Sequence, residues 1–178
     1  MWLDWQETTL DILEQRLSAV PETHVKRTKS KSAFPDLESQ AFDKRIAVEV
    51  KSGDQSHAWW DIARLDTVEE KRLAEFVKEY EIVIMYDQGS GSVVDVFVEE
   101  MWQTAGRRGD EVLYRPYDGK IRPKSWGMFK KGESLWASEA EFREALVRTK
   151  LKRRLTMILD WIEDLPEPMR KEIRKKLG

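Results

Sequence analysis

Asp36, Glu49 and Lys51 are the residues whose types and spacing could do chemistry. Pro35-Asp36 is followed, after twelve intervening residues, by Glu49-Val50-Lys51. Glu49 and Lys51 are two apart on a stretch, RIAVEVK, that reads as a strand. Both therefore point to one face, while Val48 and Val50 point to the other. If Asp36 opens the preceding strand and the two strands pair antiparallel, both carboxylates and the ammonium meet at one sheet end. Two close carboxylates repel each other, and a hard cation relieves that repulsion. Mg²⁺ accepts one or two carboxylates and keeps waters and phosphate oxygens as its other ligands. Water bound to such a metal is a stronger nucleophile, and an adjacent ammonium can orient it or offset developing charge.

Other chemistries are excluded by composition. The 178 residues contain no cysteine and two histidines, His24 and His57. Disulfides, thiolate metal sites and multi-histidine sites are absent with them, so any metal would be oxygen-ligated. No apolar run is long enough to span a membrane, and the acidic start MWLDWQETT lacks a basic leader pattern. A soluble cytoplasmic protein is the expectation. Net charge is −2, but its distribution is uneven. Residues 23–32 carry four bases and no acid, residues 33–100 carry 16 acids against 7 bases, and residues 107–131 and 143–178 are basic. Basic surfaces around an acidic centre suit a phosphodiester held near a metal.

Stepping outward along the chain, Leu10, Leu13, Leu17 and Val20 predict an amphipathic helix over 3–19 that Pro21 ends. Strands are predicted at 24–30, 36–42, 45–51, 81–86 and 93–98, the last two as a hairpin around Gly89-Ser90-Gly91. Thr67 and Glu70 match a capping box opening a helix that runs to Tyr80. A short helix is expected around 99–105, and irregular strands and loops over 111–131. Ser138 and Glu141 form a second capping box. The helix after it is predicted to reach Asp164, with Phe142, Leu146, Leu151, Leu155, Ile158, Ile162 and Leu165 on one side. Pro166 and Pro168 end it, and a basic helix follows at 168–177. The fold class is α/β: a mixed central sheet flanked by helices, with a core over 1–135 and a basic helical extension over 136–178 packed on the same domain.

Pro35-Asp36…Glu49-Val50-Lys51 resembles the PD-(D/E)xK nuclease superfamily. The leading helix, the basic strand and loop before Pro35, and the helix feeding a strand and hairpin are similar to the archaeal Holliday-junction resolvases, over roughly residues 5–105. The resemblance implies a restriction-endonuclease-like sheet and a Mg²⁺- or Mn²⁺-dependent DNA endonuclease. It implies Asp36, Glu49 and the Val50 carbonyl as metal ligands and Lys51 as the catalytic lysine. An acid from the first helix would join them, Glu7 in preference to Glu14. Lys26, Arg27, Lys29, Ser30, Lys31 and Ser32 would contact DNA, with Ser30 or Ser32 standing where the resolvases carry a loop serine. DNA is the expected partner, a branched junction first among its forms, bound by a homodimer that offers two sites to paired strands. Alternatives are a restriction- or repair-type nuclease and a non-catalytic nucleic-acid-binding protein on the same fold. Gln55 and His57 follow the motif closely enough to reach it. Trp2, Trp5, Trp59 and Trp60 suit packing or an interface. The helix cluster Lys150, Lys152, Arg153 and Arg154 reads equally as a phosphate-binding face or as the outside of a packing helix.

Overall fold

The computed structural model describes residues 2–28, 34–41, 44–53, 65, 78–86 and 90–177. A five-stranded sheet, in the order β1-β2-β3-β4-β5, is built from β1 (Thr23–Arg27), β2 (Leu37–Ala41), β3 (Lys44–Gly53), β4 (Lys78–Tyr86) and β5 (Val93–Glu100). Neighbouring strands run antiparallel except β3 and β4, which are parallel. Helix α1 (Trp2–Ser18) lies on one face of the sheet. Its Leu10 is buried among Leu37, Val48, Val50, Ile82 and Ile84. Val48 and Val50 thus point into the core, as their alternation predicts, and bury β3 at the centre of the sheet.

A second core cluster joins Ala47 and Leu65 to Met101 and Ala105 of the segment beginning at α2 (Met101–Thr104), and to Trp136, Phe142 and Leu146. Phe142 and Leu146 belong to α4 (Glu139–Glu163), a 25-residue helix whose N-cap, Ser138, accepts from the Glu141 N–H at 3.2 Å. The Glu141 side chain bonds the Ala137 N–H instead of the cap residue's own, so half of the expected box forms. Arg143 clamps α4 to the sheet by bonding both carboxylate oxygens of Glu79 at 2.9 and 3.1 Å. A small ribbon, β6 (Arg107–Arg108) with β7 (Glu111–Val112), lies beside α4, where the Val112 N–H donates to Thr149. Gly119 turns the chain at φ +68°, and a Cβ there would meet the Arg153 side chain at 3.1 Å. Helix α5 (Glu167–Leu177) closes the chain.

Several elements differ from the sequence reading. Lys78–Tyr80 begins β4 and does not end a helix, because these residues pair in parallel with Ile46–Val48. Glu99 and Glu100 extend β5 against Glu81 and Tyr80. Within the stretch read as irregular, Trp126–Lys131 is a helix, α3, ended by Gly132 at φ +65°. The apolar residues of α4 do not share one side. Phe142 and Leu146 are buried, whereas Leu151, Leu155 and Ile158 are more than half exposed. Leu151 lies five positions after Leu146, a step that rotates the series by about 140° around the helix. The capping box at Thr67 and Glu70 lies outside the described residues, as do Gln55, His57, Trp59 and Trp60.

Candidate functional site

The register of β2 and β3 explains why Asp36 and Glu49 meet. Leu37 pairs with Val48 and Glu38 with Ala47, so one further step places Asp36, just ahead of β2, opposite Glu49. The two residues interlock. The Asp36 N–H donates to Glu49 Oε2 at 3.2 Å, and the Val50 N–H donates to Asp36 Oδ2 at 2.8 Å. Lys51, on the same strand face as Glu49, forms an ion pair with Glu49 Oε1. Asp36, Glu49, Val50 and Lys51 are therefore brought together by two adjacent strands, as their spacing suggests.

Glu49 is 6% exposed. Burial pushes its carboxyl up to about 7, and the Asp36 charge adds to that shift while Lys51 opposes it. A carboxylate held this way, next to a second carboxylate, gains from any cation that settles between them. Among the described residues no group of three or more acidic or histidine side chains is placed to hold a metal ion. The donor set is thus two carboxylates and the adjacent backbone. It matches a hard, oxygen-seeking cation that retains several waters, and it does not match an all-protein metal cage.

Helix α1 contributes a residue that the sequence reading passed over. The Gln6 side-chain amide donates to Asp36 Oδ2 at 3.4 Å. Glu7 is engaged in another cluster, where Arg27 of β1 bonds Glu7 and Asp11 and lies 3.8 Å from Glu14. The three acids sit on one flank of α1 at helical spacing, and together they raise the Arg27 pKa, the Asp11 bond contributing most. Arg27 thus ties β1 to α1, and Glu7 and Glu14 share that task. The signal for Gln6 was its place one residue before Glu7, about 100° around the helix; searching for acids alone missed it.

Lys26 is exposed on β1, the edge strand that enters the basic segment. Lys29, Ser30, Lys31 and Ser32 lie outside the described residues. The α4 cluster does not form one open basic face. Lys150 is buried, Lys152 pairs with Glu111, and Arg153 bonds the Pro116 carbonyl. Trp5 is half-buried on α1. Among the described residues no helix is long and apolar enough to cross a membrane. No family model matches the chain. A search of curated proteins finds no match either.

Proposed function

We propose that this is a metal-dependent phosphodiesterase of the nuclease kind. More specifically, the reading is a PD-(D/E)xK-type DNA endonuclease of resolvase-like character, acting on branched or duplex DNA. The observation that carries it is the interlocked pair Asp36 and Glu49 with Lys51 bonded to Glu49. The strand order, with a single parallel pair between β3 and β4, supports a restriction-endonuclease-like sheet beneath that pair.

Asp36, Glu49 and the Val50 backbone would hold Mg²⁺ or Mn²⁺, which would supply an activated water and charge neutralisation at the scissile phosphate. The chain's own groups have separate tasks. The Val50 N–H and the Gln6 amide fix the orientation of Asp36. Lys51, anchored by Glu49, is placed to hold the attacking water or to bond a phosphate oxygen. Lys26 and the basic residues after it would attract the phosphate backbone.

The test is incubation of the full chain with labelled four-way junction, flap, duplex and single-stranded DNA, in Mg²⁺, in Mn²⁺ and in EDTA. Cleavage that requires metal, and that Asp36→Asn abolishes, is the expected result. Binding without cleavage of any substrate would overturn the enzyme reading in favour of a non-catalytic DNA-binding protein.

A further inference from the structure

A cavity of about 320 Å³ opens between the β6–β7 ribbon, the loop that follows it and α4. Its walls are Arg108, Glu111, Val112, Tyr114, Pro116 and Lys152. Directly after Pro116 comes Tyr117, which is 79% exposed. The turn that carries it is fixed from several directions. The Arg115 N–H donates to the Lys120 carbonyl and the Gly119 N–H to the Arg115 carbonyl, each at 2.8 Å. The Arg115 guanidinium bonds Asp118 through two nitrogens and lies over the Tyr117 ring, 4.7 Å from its centroid. Arg153 of α4 bonds the Pro116 carbonyl from below. A ring this exposed adds little to the core, so core packing does not account for a turn braced to present it.

We propose that this loop and cavity bind single-stranded DNA, with an unpaired base stacked on Tyr117 and a neighbouring phosphate on Arg108. The proposal deepens the nuclease reading and rests on it for the choice of DNA. Charge is the first argument. Residues 107–122 and 147–154 carry ten bases against three acids. Each of those acids is already held by a base: Asp110 by Arg148, Glu111 by Lys152 and Asp118 by Arg115. The surplus is positive, and a polyanion meets no bare carboxylate of these segments. The Arg108 side chain is exposed and has no hydrogen-bonding or ionic partner among the described residues. It can therefore fork onto a phosphate without giving up an existing bond. The ring is the second argument, and it selects the form of the strand. A base inside a duplex has both faces covered by its neighbours, whereas an unpaired base offers a face to an aromatic side chain. The Arg115 guanidinium holds the Tyr117 ring in place and adds positive charge beside the stacked base. A flap or an open branch point presents such a strand next to duplex.

The test is fluorescence anisotropy of the full chain with one labelled oligonucleotide, single-stranded and as its duplex, in EDTA so that no cleavage intervenes. Tyr117→Ala should weaken single-strand affinity about 10-fold, the loss of one stacked base, and duplex affinity less than about twofold. Tyr117→Phe keeps the ring and should bind as the wild type does. Arg108→Gln should lower the slope of log affinity against log salt by about 0.7 on the single strand. Both positions are exposed, so the circular dichroism spectrum and melting temperature should stay as they are. A single strand carrying iodouracil should cross-link to Tyr117 under near-ultraviolet light. Full single-strand binding by Tyr117→Ala, equal losses on single strand and duplex, weakened binding by Tyr117→Phe, an unchanged salt slope in Arg108→Gln, or cross-linking only at other residues would each overturn the proposal. The nuclease reading fails differently: the wild type would bind the single strand through Tyr117 and cleave no DNA in Mg²⁺ or Mn²⁺.

Discussion

Replacing Glu49 by glutamine tests the electrostatics of the site without any assumption about substrate. Glu49→Gln keeps the shape of the side chain and removes its charge. In the folded chain the Glu49 carboxyl is pushed up to about 7, against an ordinary value of 4.5, chiefly by burial. A carboxyl whose folded pKa lies above its unfolded one keeps its proton longer in the folded state. The folded chain therefore binds more protons between pH 4.5 and 7, and this group's contribution to stability falls as pH rises through that window. Integrating the two titrations between pH 5 and pH 8 gives a loss of about 2–3 kcal/mol in the wild type that the glutamine variant does not share. For a chain of this length that corresponds to about 5–10 °C in melting temperature. The assay is thermal unfolding of both proteins in EDTA at pH 5, 6, 7 and 8. The wild type should lose stability relative to Glu49→Gln as pH rises, and excess Mg²⁺ should restore the wild type at pH 8 while leaving the variant unmoved. Parallel pH profiles for the two proteins would refute the claim that Glu49 is a buried carboxyl facing Asp36.

Asp36→Asn and Lys51→Met should each lower metal-dependent cleavage by at least about 100-fold, as expected for groups that bind or orient reacting atoms; DNA affinity in EDTA should stay within about threefold, and preserved cleavage would remove either residue from the site. Leu10→Ala should cost about 2–5 kcal/mol, because Leu10 is 4% exposed and sits among Leu37, Val48 and Val50; a urea-unfolding loss below about 1 kcal/mol would mean α1 does not pack as described. Lys26→Gln should reduce the slope of log affinity against log salt by about 0.9 on duplex DNA if its ammonium meets a phosphate; an unchanged slope assigns it to solvent.

The central strands were legible because their signals are local. RIAVEVK alternates, so Val48 and Val50 had to face the core and Glu49 and Lys51 had to share the other side. The Asp36–Glu49 pairing was legible too, as two acids at the ends of consecutive strands. Its register required tertiary structure, since it is set by Leu37 entering the core opposite Val48. Tyr80 misled because its spacing with Leu73, Phe76 and Val77 fits a helix. Pairing with both β3 and β5 outweighs that local preference and draws it into a strand.

By itself the sequence determined which groups are on offer for chemistry: the carboxylates of Asp36 and Glu49 and the ammonium of Lys51, in a chain with no thiol and two imidazoles. It determined the alternation that puts those side chains on one face and the valines on the other. Only the tertiary structure decided that Gln6 bonds Asp36 while Glu7 pairs with Arg27 of β1. Only it decided that α4 is apolar on two sides, one buried and one open. The physical reason is shared. Periodicity along a chain fixes which residues lie on one face of an element. What that face meets depends on charges and apolar surfaces brought from distant parts of the chain.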